Sequence, residues 1–318
     1  MDSRKYENKF KHLNTLLNFK MKKLIIVNFL IIISFSVFSQ EEEEEKTTLQ
    51  QFTPSQLIKD QNWDIKVFNS LYTQNRREDN GEIINEPRSN FYTSTFEIFT
   101  GVSKKSTANL GFVFNFKSNT ISENRWSPLK FIDNKNNSAR ALTNVAISLK
   151  WKPLQNNKNF TVQSSFFVPI FEDQPRFFLD KRSYVFENRL FYDKTFPGRK
   201  FQLFTEIDFA YNFGGKAKNA TQFQNVGERY ANNSLGIPVS AFLSYFITSK
   251  YTLLTYLQHF ELIDLGNNFA QGYTLAGLGF KMQVFNHITL EASYSYFFQA
   301  RGAGLGESYN FGVRYLML

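Results

Sequence analysis

The chain has 318 residues, enough for one large domain or two ordinary ones with a sizeable core, and it carries 37 Phe against 8 Pro and 3 Trp. The absence of cysteine excludes a disulfide framework, a thiolate nucleophile, a thiolate zinc site and a lipid-modified cysteine. Residues 1–40 hold seven Lys or Arg and two Asp or Glu, so the formal charge of +9 falls to +4 without them, and the case for a nucleic-acid partner goes with it.

In chain order, residues 1–20 read as an upstream extension ahead of a second methionine, Met21. Lys22 and Lys23 then precede an apolar run from Leu24 to Phe38, and small Ser39 stands at a cleavage position. That is the form of a secretory signal peptide over 21–40, too short and wrongly flanked for a retained anchor. Glu41 to Glu45 repel one another and cannot pack. Residues 41–61 are therefore expected to form a disordered acidic segment.

From Trp63 onward a period of two recurs, and no window carries an apolar stripe at helical spacing. In "NLGFVFNFKSN", Asn109 to Asn119, the residues Leu110, Phe112, Phe114 and Phe116 alternate with Asn109, Gly111, Val113, Asn115 and Lys117. Val145, Ile147, Leu149 and Trp151 alternate with Asn144, Ala146, Ser148 and Lys150, and Ile288, Leu290, Ala292, Tyr294 and Tyr296 with Thr289, Glu291, Ser293 and Ser295. This pattern predicts twelve strands, at 62–74, 90–100, 107–117, 141–152, 159–171, 182–192, 200–213, 233–246, 250–262, 272–284, 287–299 and 308–318. Short turns alternate with longer Asn- and charge-rich loops, the latter at 75–89, 118–140, 172–181, 214–232, 263–271 and 300–307.

A signal peptide, an even number of alternating strands and turns short on one side only resemble the outer-membrane β-barrel proteins of Gram-negative bacteria over 62–318. No subfamily motif is matched. One departure is that the chain ends on Leu318, with Tyr315 as its last aromatic, where such barrels commonly end on a lipid-facing aromatic. The resemblance implies an all-β, up-and-down transmembrane barrel of about twelve strands, monomeric, set in outer-membrane lipid by the outer-membrane insertion machinery, with both termini periplasmic. A soluble β-sandwich or lipocalin-like barrel also alternates. It needs neither so many aromatic-rich strands nor the strict alternation of loop lengths.

Alternation then sorts side chains between lipid and lumen. Phe112, Phe114 and Phe116 are expected to face lipid. The lumen-lining candidates are Asp64, Lys66, Glu97, Lys117, Glu187, Arg189, Glu206, Asp208, Lys281, Glu291 and Arg314. Two readings stay open: these charges pair and hold the barrel shut, or opposed patches line a narrow passage that orients charged or zwitterionic solutes. Small inward residues, among them Gly111, Ala146, Ser148, Gly277, Gly279 and Gly312, leave room in the wall and favour the passage.

Trp151, Tyr184, Tyr192, Tyr211 and Tyr245 fall near strand ends, as membrane-interface aromatics do. The short-turn rim is basic, with Lys104, Lys105, Lys158, Lys194, Arg199, Lys200 and Lys250 against Asp193. Beyond residue 40 the histidines are His259, conceivable as a general base of a membrane-embedded hydrolase, and His287 in a turn. The expectation is a passive channel for small polar or charged solutes, not an enzyme and without cofactor or metal. A closed barrel with a structural or surface-interaction role is the alternative, and the hydrolase a distant third.

Overall fold

The computed structural model describes residues 53–123, 137–154, 157–171, 177–179, 183–214, 233–265 and 270–317. The extension, the signal peptide, the glutamate run and parts of the loops at 118–140, 172–181, 214–232 and 263–271 lie outside the described residues.

Twelve antiparallel strands among the described residues close into one barrel in chain order, the first pairing with the last. They are β1 (Trp63–Asp79), β2 (Glu82–Gly101), β3 (Ala108–Glu123), β4 (Ser138–Trp151), β5 (Phe160–Pro169) and β6 (Tyr184–Thr195). The circuit continues through β7 (Phe201–Phe213), β8 (Ser234–Phe246), β9 (Tyr251–Asp264), β10 (Gln271–Phe285), β11 (Ile288–Arg301) and β12 (Gly304–Met317). β1 begins, and β12 ends, at the rim that carries the short turns, hereafter the terminus end. The other rim is the loop end.

The alternating residues separate as their period requires. On β3, Leu110, Phe112, Phe114 and Phe116 point outward, and Phe112 is 49% exposed. Ile147 and Leu149 of β4, Leu278 and Phe280 of β10, and Tyr309 and Phe311 of β12 continue the same outer belt. Burying that much apolar surface takes a hydrocarbon phase, and a closed ring can enter one because no strand edge is left unpaired. Between β7 and β8 the ladder skips Asp208 and Phe209 opposite Ile237 and Pro238, as befits a proline with no N–H to give.

The structure differs from the sequence expectation in two ways. Residues 75–89 are not a loop: β1 and β2 run on as a hairpin to a turn at Asn80 and Gly81, both at positive φ (52° and 90°). Asn-Gly is the preferred pair for such a two-residue turn, and Arg77 braces the arm through Glu86 at 2.7 Å. The loop at 300–307 likewise shrinks to a tight turn at Gly302 and Ala303.

The second difference is the segment Thr53 to Asn62, which is not disordered. Thr53, Ser55, Leu57 and Ile58 are buried as this segment crosses the terminus end of the barrel. It leaves β1 beside Gly101 of β2, where a Cβ would sit 1.9 Å from the Lys59 carbonyl oxygen, so a glycine is required. Ile58 packs on Leu316 of β12. Further along, Thr161 of β5 donates to the Ser55 carbonyl, and Thr53 and Gln56 donate to Asp193 of β6 at 3.1 and 3.4 Å. The segment is a strap, and its short polar residues gave no periodicity because it lies on neither a strand nor a helix.

Phe112→Arg puts a charge in the middle of the apolar belt. It is expected to lower the stability of the barrel refolded into phospholipid vesicles by about 2–4 kcal/mol, read from denaturant titration.

Candidate functional site in the barrel lumen

Strand register places all eleven charged candidates on the inward face. Asp64, Lys66 and Arg314 follow from the β1–β12 pairing, and Glu97 pairs with Lys66. Lys117 lies level with Thr93, Arg189 with Asp208, Glu187 with Ala210 and Glu206 with Phe191. Lys281 and Glu291 pair with each other across β10 and β11.

They are brought together around the waist in two groups. In one, Arg314 grips Asp64 with two hydrogen bonds of 2.8 and 2.7 Å, and Lys66 donates to Glu97 at 2.8 Å. In the other, Arg189 donates through Nε to Glu206 at 2.8 Å, with a second N–H on the same oxygen, and Asp208 lies 3.6 Å away. Arg189 also approaches Glu97 to 3.8 Å. β2 and β6 are separated by three strands, so this contact spans a chord of the lumen and joins the two groups as a crossbar.

Behind the crossbar the wall of β3 to β5 is filled. Val113, Ala146, Ser148, Gln163 and Ser165 are all buried, and Ser148 donates to Ser165 at 2.8 Å. Lys150, absent from the sequence candidates, belongs here: it is 2% exposed, with its ammonium 3.9 Å from the centre of the Phe99 ring. Its alternation with Leu149 and Trp151 was signal enough to find it. Lys117 is the one candidate set apart, towards the loop end near a hydrogen-bonded row of Thr95, Asn115 and Asn144.

The small residues do not leave the room expected of them. A Cβ on Gly111 would lie 2.4 Å from the Phe99 ring, and one on Gly277 would lie 2.2 Å from Tyr256. Inward rings fold over the glycines and occupy the space. More of them form a band around the wall: Phe191, Phe204, Phe242 and Tyr256 follow one another at 5.9, 5.7 and 5.1 Å. Tyr273, Phe297 and Tyr72 continue it towards the loop end at 5.0 and 4.6 Å. Phase would have revealed these too, since Phe99 shares a face with Glu97 and Phe191 with Arg189.

The strap crosses the terminus end. Asp193, assigned from sequence to the basic rim, is 5% exposed and points inward, where Thr53, Gln56 and Gln202 all donate to its carboxylate. Trp151, Tyr192 and Tyr245 lie on the outer face near the terminus end, and Tyr184 and Tyr211 near the loop end. His259 faces outward on β9, with Nδ1 2.9 Å from the Thr274 hydroxyl and Nε2 3.7 Å from Glu261, so its contacts are a hydroxyl and a carboxylate on the barrel's outer side. His287 meets the Leu316 carbonyl at 3.0 Å in its turn.

Arg189→Met leaves Glu206, Asp208 and Glu97 without their shared cation. A loss of about 3 kcal/mol in denaturant unfolding is expected, and a second change, Glu206→Gln, should recover part of it.

No family model matches the chain, and no curated protein does. Among solved structures, the chain is similar to an outer membrane channel from Pseudomonas putida F1, at 10% identity, with 83% of this chain and 97% of that one covered and a TM-score of 0.61. The β domain of a Bordetella autotransporter matches 80% of the chain and 99% of its own at 10% identity and a TM-score of 0.48. The NanC porin matches 79% and 98% at 11% identity and a TM-score of 0.45. With its closed ring, apolar belt and polar waist, the chain has the fold of the Gram-negative outer-membrane β-barrel proteins.

Proposed function

We propose that the chain is a monomeric outer-membrane channel that passes small charged or zwitterionic solutes passively, with both termini in the periplasm. The observation that carries this reading is the uneven distribution of charge across the waist. On β6 and β7 three carboxylates, Glu187, Glu206 and Asp208, surround one guanidinium, that of Arg189. Lys66, Lys281 and Arg314 lie on the wall of β1, β10 and β12 balanced by Asp64, Glu97 and Glu291, so the excess of carboxylates is on the β6 and β7 side. A solute between them meets a transverse field that aligns its dipole and admits it without a cofactor or a chemical step. The waist is reachable by water, since the Lys66 and Arg189 side chains keep 19% and 25% of their surface.

The strap supports the rival reading, a barrel closed at its terminus end that serves as a structural or surface-interaction protein. Conductance in a planar bilayer separates the two. A channel gives discrete steps, and Glu206→Lys with Asp208→Asn should move the reversal potential towards anion selectivity. Asp193→Ala, which removes the acceptor for Thr53, Gln56 and Gln202, should raise the conductance. Silence from both the unaltered protein and Asp193→Ala would favour the closed barrel.

A further inference from the structure

Phe68 differs from every inward ring described above. It is 40% exposed, whereas Phe99, Phe191, Phe204, Tyr256 and Phe297 are each 8% exposed or less. Its register, level with Thr95 on one side and Gly312 on the other, turns it inward, so the exposed surface belongs to the lumen and not to lipid. Gly312 lets one edge of the ring lie close against β12, where a Cβ would stand 3.2 Å from it, and the rest of the ring stays exposed.

The surroundings of the ring are charged. Lys66 is two residues away on β1, Arg314 two residues beyond Gly312 on β12, and Gly312 pairs with Glu291, which pairs with Lys281. Thr95 continues through Asn115 to Asn144 as a row of hydrogen-bonded polar groups. An apolar ring left open in such a place contributes nothing to the transit of a wholly polar solute. It suits a solute with an apolar body and an anionic head.

We propose that Phe68 is the apolar contact of a luminal binding site for small aromatic carboxylates, the solute's ring lying against Phe68 and its carboxylate directed to the ammonium of Lys66. Lys66 donates to Glu97 at 2.8 Å, so the solute's carboxylate competes with Glu97 for that ammonium, while Arg314 and Lys281 on the same wall face Asp64 and Glu291. This rests on the reading of the lumen as a passage and names the class of solute that the passage favours.

The test uses the full-length protein extracted from membranes in detergent, with phenylacetate as the probe and acetate as the control, and binding followed by saturation-transfer NMR. Phenylacetate should bind and acetate should not displace it. Phe68→Ala should weaken binding about three- to tenfold, Phe68→Trp should keep it, and Lys66→Gln should weaken it as well. Absence of phenylacetate binding, or binding unchanged in Phe68→Ala, overturns the site. Because binding is read without ion flow, parallel conductance records distinguish the two failures: a conducting barrel with no Phe68-dependent binding loses only the solute class, and a silent barrel that binds through Phe68 loses only the passage.

Discussion

Everything in this molecule follows from the requirement that backbone N–H and C=O groups within hydrocarbon find partners in the chain itself. An isolated sheet leaves two edges unpaired, and each such group would cost several kcal/mol in lipid. Pairing β1 with β12 removes both edges at once. Closure then fixes which phase of every strand looks outward, and so fixes the contents of the lumen. Neither Phe112 on the outside nor Glu97 on the inside is a free choice once the register is set.

Closure also creates an interior that must be filled or hydrated, and the chain does both. On the β2 to β6 side the crossbar of Arg189 and Glu97, the cation–π contact of Lys150 with Phe99 and the buried serines leave little space. Glycines under aromatic rings act likewise at Gly111 and Gly277. Charged groups are tolerated at membrane depth because each acid of the crossbar has a basic neighbour, and because water reaches Lys66 and Arg189. Phe68 on β1, 40% exposed, stands outside this filled side.

Strand number, approximate strand bounds and the inward phase of the charged residues were legible in the sequence because a period of two survives even when strands are trimmed or extended by a few residues. Hairpin lengths were less legible. Polar residues at 75–89 suggested a loop, although Asn80-Gly81 is a stronger, more local signal than composition. Inward aromatics were not singled out for a related reason: charged and small residues were sought on the inward phase, whereas Phe99, Phe204 and Phe297 lie on that phase as well. Pairings across the lumen, such as Glu97 with Arg189, depend on barrel curvature and cannot be read from spacing along one strand. The strap was beyond reach altogether, since its contacts with Thr161, Asp193 and Leu316 lie more than a hundred residues away.

Those distant contacts make the strap a report on assembly. Ile58 needs Leu316, one residue from the end of β12, to be already in the ring, and Thr53 needs β6 to be in place. This stretch, although it precedes β1 in the chain, is thus among the last to find its seat. A barrel halted before β12 joins β1 leaves Ile58 without Leu316, a less firmly docked stretch that a protease can distinguish from the docked one.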